Sequence, residues 1–240
     1  MCRIIAAVGR IETGRLLRAL RLMAENENPA YEHELRGQGK GLTHDCGWGV
    51  LHRDGAKLTR TRSALPCFAD SAFESVADIE TDLLVLHARR TKDRDTVDEK
   101  NSHPFLATYR GEAWGFCHNG EVRDLSQLTH APDLVPEATI DSERLFFHVL
   151  TRLDRSDPRG SLERTLGEIH DFTCLNSILV GPDTVLAYAR KDPRGTLPRY
   201  YTLWHGRARG LDLVSSEIVD GLGVEWEPVP DGVAVALEPQ

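Results

Sequence analysis

The chain has 240 residues, and its 37 acidic against 29 basic side chains give a formal net charge of −8. This acidic balance argues against nucleic acid or an anionic membrane as a partner. No stretch approaches the ~20 apolar residues of a membrane span, and the N-terminus lacks the pattern of a secretory signal. We therefore expect a soluble, cytoplasmic, globular protein.

The length allows one large domain, and the absence of repeats and linker-like stretches predicts a single domain over residues 1–240. The five cysteines, at positions 2, 46, 67, 117 and 174, show no C-x-x-C pairing or regular spacing. They are interpreted as reduced thiols, and neither a metal nor a cofactor is expected.

The predicted elements of the first part mix short strands with amphipathic helices. A helix is expected from Thr13, and an Asp-Gly pair predicts a tight hairpin turn. In chain order they are a strand at 3–9, the helix from Thr13, hairpin strands at 47–51 and 56–61, a helix at 69–77, strands at 83–87 and 113–118, and helices at 142–153 and 162–169.

From Cys174 onward the pattern is strand after strand. Turns this short imply antiparallel neighbours, because parallel strands need a crossover of about a dozen residues. The chain is therefore predicted to be α+β, with antiparallel sheets and helices packed outside them. No Gly-rich phosphate loop is present, which argues against a doubly wound nucleotide-binding sheet. The later predicted strands are 175–180, 185–189, 200–205, 211–215 and 233–237.

Cys2 is the first residue whose chemistry goes beyond packing. Removal of Met1 would leave a thiol and a free α-amino group on one residue. The α-amino group has an unperturbed pKa of about 8 and can take the thiol proton, so Cys2 would be a nucleophile with its own base. The alternative is that a cysteine at position 2 is incidental.

The sequence Phe-Cys-His-Asn-Gly-Glu-Val at 116–122 is a second candidate. The Asn119 amide and the Gly120 backbone N–H suit an oxyanion hole for an amide carbonyl. The alternative is a simple turn, because Asn-Gly is also a common hairpin signal.

Two charged positions could hold a zwitterion. Arg89 follows an apolar strand, and a guanidinium there is suited to binding a carboxylate. Asp141 stands directly before the long amphipathic helix, where it could bind a substrate ammonium or simply act as an N-cap.

In this order, these segments resemble the class II glutamine amidotransferases, which are N-terminal nucleophile (Ntn) hydrolases. Met-Cys-Arg at the start is similar to the stand-alone branch of that family. Residues 44–49, His-Asp-Cys-Gly-Trp-Gly, resemble its Asp-Gly-Trp-Gly segment with Cys46 inserted, and Asn-Ser-His-Pro-Phe at 101–105 resembles its Asn-x-His-Pro-Phe stretch. The resemblance covers nearly the whole chain and implies a four-layer αββα sandwich.

The resemblance also implies residue roles. Cys2 would be the nucleophile, and Asn119 with Gly120 the oxyanion hole. Arg89 would bind the α-carboxylate of glutamine and Asp141 its α-ammonium.

One departure concerns the segment after Arg89, which is Arg-Thr-Lys-Asp where synthase-fused relatives have Trp-Ala-Thr-His. Their Thr and His contacts therefore do not transfer, and Thr91 or Arg90 would substitute for them. His103 would shape the pocket or only satisfy a buried hydrogen bond. The charged stretch 92–100 is expected to be a solvated loop or a lid.

These features predict hydrolysis of L-glutamine to glutamate through a γ-glutamyl thioester, with ammonia released for a partner synthetase subunit. The same groups would serve a hydrolase of a γ-glutamyl amide in a larger metabolite or peptide. An Ntn amidase for apolar acyl groups is disfavoured by the Arg89 and Asp141 pair. A non-catalytic glutamine-binding subunit stays open.

Overall fold

The computed structural model describes residues 2–36 and 42–239, and these contain twelve strands and four α-helices. No helix in that part is long and apolar enough to cross a bilayer. In chain order the elements are β1 (Arg3–Gly9), α1 (Thr13–Ala24), β2 (Trp48–Asp54), β3 (Lys57–Ser63), α2 (Ser71–Glu74), β4 (Leu83–Ala88), β5 (Phe105–Tyr109), β6 (Glu112–Val122), α3 (Asp141–Arg152), α4 (Pro158–Gly167), β7 (Phe172–Val180), β8 (Val185–Ala189), β9 (Trp204–Ala208), β10 (Leu211–Ser215), β11 (Glu225–Pro228) and β12 (Val233–Ala236).

The strands form two sheets. The first has seven strands in the order β11-β9-β10-β1-β4-β2-β3, and the second has five in the order β12-β8-β7-β6-β5. Every pair of neighbouring strands within these sheets is antiparallel. The predicted α+β class with antiparallel sheets is confirmed.

The sheets stack face to face with helices outside them. Strand β1 explains the layering, because its side chains alternate between two faces. Ile4, Ala6 and Val8 join an apolar cluster between the sheets, together with residues of β6, β7 and β8. Ile5 and Ala7 point to the opposite face and pack with the buried side of α1. Helices α3 and α4 cover the outer face of the second sheet, which confirms the four-layer αββα order.

The Asn-Gly pair at 119–120 does not form a turn. Strand β6 continues through it to Val122, with Asn119 opposite Asn176 and Gly120 opposite Leu175 of β7. A register shift follows between Gly120 and Val122. The long partner β7 keeps this segment extended, so a local turn signal is overridden by tertiary pairing.

Other boundaries differ from prediction at strand ends and edges. Two strands were not predicted, β5 and the edge strand β11, whose Glu-Trp-Glu-Pro sequence carries two exposed acidic residues. Strand β9 begins at Trp204 and not at position 200. Tyr200 instead packs against Arg3, a contact that no local pattern could indicate.

Candidate active site

Cys2 and Asn119 meet between the two sheets. The Cys2 backbone nitrogen donates to Asn119 Oδ1 at 2.8 Å, across 117 positions of the chain. Strand alternation explains the encounter. Cys2 directly precedes β1 and is two positions from the inward-facing Ile4, and Asn119 is two positions from the inward-facing Cys117 on β6. Cys2 is 8% exposed and lines a cavity.

The bond from Cys2 also fixes the orientation of the Asn119 amide. Because Oδ1 accepts, the NH₂ group points the other way. Its Nδ2 is buried and has no hydrogen-bond partner among the described residues. A buried donor without a partner is costly, and such a donor on a residue bonded to Cys2 is available to an oxyanion.

Gly120 is required by a close approach between β6 and β7. A Cβ at this position would lie 1.7 Å from the Cys174 carbonyl oxygen. Only glycine therefore allows β6 to run beside β7 here while it borders the cavity.

The other four cysteines have no comparable position. Cys46, Cys67, Cys117 and Cys174 are buried, and burial raises the pKa of each thiol, to about 12 for Cys67 and Cys174. They stay protonated near neutral pH and are poor nucleophiles. No group of three or more metal-binding side chains occurs in the described ranges.

Arg89 is buried immediately after β4. Its backbone bonds to the 44–49 motif, with Cys46 N donating to Arg89 O at 3.0 Å and Arg89 N donating to Gly47 O at 2.7 Å. Its guanidinium donates to the Thr96 carbonyl at 3.0 Å and to Thr96 Oγ1 at 2.9 Å. Arg89 therefore both lines the cavity and holds the following loop.

Asp141 is the first residue of α3, so the N-cap interpretation is wrong: the cap position is Ile140. The Asp141 carboxylate instead accepts from Val122 N at 2.8 Å, just after the irregularity in β6. His118 lies 3.9 Å from this carboxylate and bonds Ser142 Oγ at 3.0 Å. Burial lowers the pKa of His118, so the ring is neutral near pH 7.

The Asn-Ser-His-Pro-Phe stretch joins the two charged sides of the cavity. Asn101 Nδ2 donates to the Thr96 carbonyl at 2.9 Å, and Asn101 Oδ1 accepts from Thr139 N at 2.9 Å. The loop that contacts Arg89 is thereby tied to the segment that leads into Asp141.

His103 lines the cavity and packs on His87, with ring centroids 4.3 Å apart. The His103 ring has no hydrogen-bond partner in the described part of the chain, so a buried hydrogen bond for His103 is not observed. Burial lowers the pKa of both rings well below the ordinary value, which keeps them neutral.

The cavity of about 920 Å³ gathers nearly all the predicted site residues. Asn119 does not line the cavity itself, but it bonds the backbone of Cys2, which does. Thr91 lines the cavity, and its Oγ1 accepts from Asp93 N at 3.1 Å. One wall thus offers a cation, another an anion, and a thiol lies between the sheets. The predicted residues that line it directly are Cys2, Arg89, Arg90, Thr91, His103, Gly120 and Asp141.

Sequence reasoning missed three residues next to this cavity: Arg3, Glu217 and Tyr200. Arg3 is fully buried, pairs with Glu217 at 2.8 Å and lies over the Tyr200 ring. The one available signal was an arginine inside an otherwise apolar strand, directly after Cys2.

Residues 29–192 match the sequence profile of the class-II glutamine amidotransferases. The chain therefore belongs to this family, whose members are enzymes acting on amide C–N bonds.

Among curated proteins, the chain is 30% identical over 126 residues to YafJ of Escherichia coli (strain K12), a glutamine amidotransferase by name. That match spans 52% of this chain and 48%, about half, of YafJ. The chain is also 29% identical over 197 residues to the gamma-glutamyl-hercynylcysteine sulfoxide hydrolase of Mycobacterium tuberculosis (strain CDC 1551 / Oshkosh). This match covers 82% of this chain and 76% of that protein.

Two solved structures share the fold. The glutamine phosphoribosylpyrophosphate amidotransferase from B. subtilis superimposes with a TM-score of 0.71 at 17% identity, covering 98% of this chain and 47% of that one. A glutamine aminotransferase class-II domain protein from Silicibacter pomeroyi gives 0.59 at 20% identity, covering 98% of each chain.

Proposed function

We propose that this chain is an amidohydrolase that cleaves the side-chain amide of L-glutamine through Cys2 and releases ammonia and glutamate. The observation that carries the proposal is the 2.8 Å bond from Cys2 N to Asn119 Oδ1, which leaves the buried Asn119 Nδ2 without a partner among the described residues. We further propose that residues 1–240 act as a single domain, in which β1 and β10 are neighbours in one sheet.

The first step is formation of the thiolate. Once Met1 is removed, the Cys2 nitrogen is an amine that donates one hydrogen to Asn119 Oδ1. Its lone pair takes the thiol proton, directly or through water, and Sγ attacks the amide carbon. The α-amino group thus serves as the base within the same residue.

Charge then develops on the carbonyl oxygen, where Asn119 Nδ2 and the Gly120 N–H would donate. Collapse of the tetrahedral adduct breaks the C–N bond, and the proton held by the amine leaves with ammonia. Water then attacks the γ-glutamyl thioester, which gives glutamate and restores the thiol. Preorganised donors of this kind each contribute about 10²–10³ in kcat.

The glutamyl group would be held as a zwitterion. Arg89 is a buried cation on the cavity wall, and Asp141 is a carboxylate at the start of α3. A cation and an anion fixed by separate elements orient an amino acid so that its side chain reaches the thiol. Thr91 and His103 complete this side of the pocket.

A second candidate is hydrolysis of a γ-glutamyl amide in a larger metabolite. The cavity of about 920 Å³ lies near the top of the range for drug-sized ligands, about 300–1,000 Å³, and exceeds the need of glutamine alone. The similarity to a gamma-glutamyl-hercynylcysteine sulfoxide hydrolase over 82% of this chain supports the same candidate. Only the leaving amine differs between the two candidates.

The test is glutamate release from L-glutamine and from a γ-glutamyl amide, with Cys2→Ala as the inactive variant and Cys67→Ala as the matched control. Cys67 is a buried cysteine in the cluster below α1, away from the cavity. Release that persists in Cys67→Ala and disappears in Cys2→Ala supports the proposal. Persistence of hydrolysis in Cys2→Ala would contradict it.

A further inference from the structure

A charged cluster is buried directly behind the proposed nucleophile. Arg3 and Glu217 are both fully buried, and Arg3 Nη2 lies 2.8 Å from Glu217 Oε1. His33 Nε2 is 3.2 Å from the same Arg3 nitrogen. Burial and the neighbouring Arg3 lower the pKa of His33 to about 4, so His33 is neutral near pH 7. Of Arg3 and His33, only Arg3 then presents a positive charge to Glu217.

Arg3 also contacts the cavity wall through Tyr200. The guanidinium carbon lies 4.3 Å from the centroid of the Tyr200 ring, which is a cation–π contact. Tyr200 itself lines the cavity that contains Cys2. The residue that follows the nucleophile therefore supports one wall of the pocket from behind.

Three further hydrogen bonds connect the wall and the charged cluster to the segment at 28–36. Glu34 accepts from Arg199 N at 2.8 Å and from Tyr200 N at 2.9 Å. Glu217 accepts from Asn28 Nδ2 at 2.8 Å. The side chain of Tyr200 is held by Arg3, and its backbone is held by Glu34.

Stability alone does not explain such a cluster. Desolvation of two charges consumes most of their attraction, and apolar residues of similar volume usually serve as well or better. A buried pair that packs against a cavity-lining ring, as Arg3 does against Tyr200, is better explained by positioning.

We infer, on the basis of the proposed function, that Tyr200 forms the wall facing the leaving amine and that Arg3 and Glu217 position it. Arg89 and Asp141 would take the glutamyl part, so the amine part is left to the wall contributed by the remaining segments. The remaining lining includes the apolar and aromatic residues Leu35, Leu42, Leu197, Tyr200 and Tyr201, alongside charged residues such as Arg90, Glu121 and Arg123. It fits γ-glutamyl amides whose amine carries a flat or bulky apolar group.

The experiment compares kcat/KM for γ-glutamyl-4-nitroanilide with kcat/KM for L-glutamine in the full chain. The variants are Tyr200→Leu and the double substitution Arg3→Met with Glu217→Met, which removes both charges together. Arg207→Met is the control, since its pairing with Glu227 at 3.0 Å is on the surface. Intact mass verifies Met1 removal, and thermal melting verifies folding.

We expect the anilide-to-glutamine ratio of kcat/KM to fall at least about tenfold in Tyr200→Leu and in the double variant, mainly through a higher KM for the anilide. The ratio should be unchanged in Arg207→Met. Tyr200→Phe keeps a ring over Arg3 and should retain the selectivity that Tyr200→Leu loses.

Three results would overturn the inference. If the wild-type chain hydrolyses glutamine but not the anilide, the wall does not accept a bulky amine, while the proposed function stands. If Tyr200→Leu lowers the ratio and the Arg3/Glu217 double variant does not, the positioning role is wrong. If the wild-type chain with a free Cys2 hydrolyses neither substrate, the proposed function fails and the inference fails with it.

Discussion

At the residue scale, the proposed function gives Asn119 two tasks, and they use different atoms. Its Oδ1 accepts from the Cys2 nitrogen, and its Nδ2 is left for the substrate oxygen. The first task orients the base, and the second stabilises charge that exists only during the reaction.

Asn119→Asp separates these tasks, because it keeps an acceptor for Cys2 and removes the donor. We predict that kcat for the preferred amide falls by at least about 10²-fold, as for loss of an oxyanion-hole donor. Steady-state kinetics on folded, Met1-free enzyme measure this. A kcat within a few-fold of wild type would mean that Asn119 does not contact the developing charge.

Asp141 offers a test of the zwitterion clamp. Asp141→Asn keeps an oxygen that can accept from Val122 N and removes the charge. Loss of a hydrogen bond to a charged group costs about 1.5–3 kcal/mol, so KM should rise about 10- to 150-fold. Asp183→Asn, at an exposed turn, is the matched control. An unchanged KM would place the substrate ammonium elsewhere.

The residues proposed for the site were predictable because each is carried by a local motif. Cys2 follows Met1, Arg89 follows an apolar strand, and Asn119 lies in a short recognisable sequence. The local structure around Asn119 was not predictable, since a turn signal was overridden by pairing with β7.

At the scale of elements, the pairing of β6 with β7 holds the site. Both inner-facing Asn119 and the cavity-lining Gly120 depend on the register between these strands. The shift after Gly120 leaves Val122 N directed at Asp141, so one irregularity connects the thiol side of the pocket to α3.

Gly120→Ala tests this dependence. The added Cβ would overlap the Cys174 carbonyl at 1.7 Å, so the strands must separate. We predict that the free energy of unfolding falls by about 1–3 kcal/mol and that activity is lost. Urea denaturation measures the first quantity.

Gly167→Ala is the control, because a Cβ at the end of α4 meets nothing within 4 Å. Its unfolding free energy should stay within about 1 kcal/mol of wild type. Equal stability of the two variants would show that the β6–β7 approach can relax.

At the scale of the whole molecule, buried histidines couple stability to pH. Burial lowers the pKa of His44, His87, His103 and His118 below the ordinary value. The unfolded chain binds protons at these rings below about pH 6.5 and the folded chain does not, so stability falls as pH falls.

Each ring that stays neutral contributes about 1.4 kcal/mol per pH unit below its unfolded pKa. Urea denaturation between about pH 7.5 and about pH 5.5 should therefore show decreasing stability. His87→Phe removes one such ring and should make the dependence shallower by about one proton. An identical slope in that variant would mean that His87 is protonated in the folded state.

Long-range contacts explain what sequence reasoning missed at this scale. Arg3 and Glu217 meet between opposite ends of the chain, and Tyr200 was assigned to a strand that begins later. The antiparallel sheets with helices outside them were accessible because alternation and short turns are local properties, whereas the four-layer αββα order was implied by the family resemblance. The partners of buried charges are set by packing, which neither property encodes.

The most direct test of the central claim is trapping of the covalent intermediate. The enzyme is mixed with its amide substrate, quenched in acid and analysed by intact mass and peptide mapping. The account predicts a chain without Met1 that carries one glutamyl group on the peptide beginning at Cys2, and no adduct in Cys2→Ala. An adduct on another cysteine, or turnover by a chain that retains Met1, would contradict it.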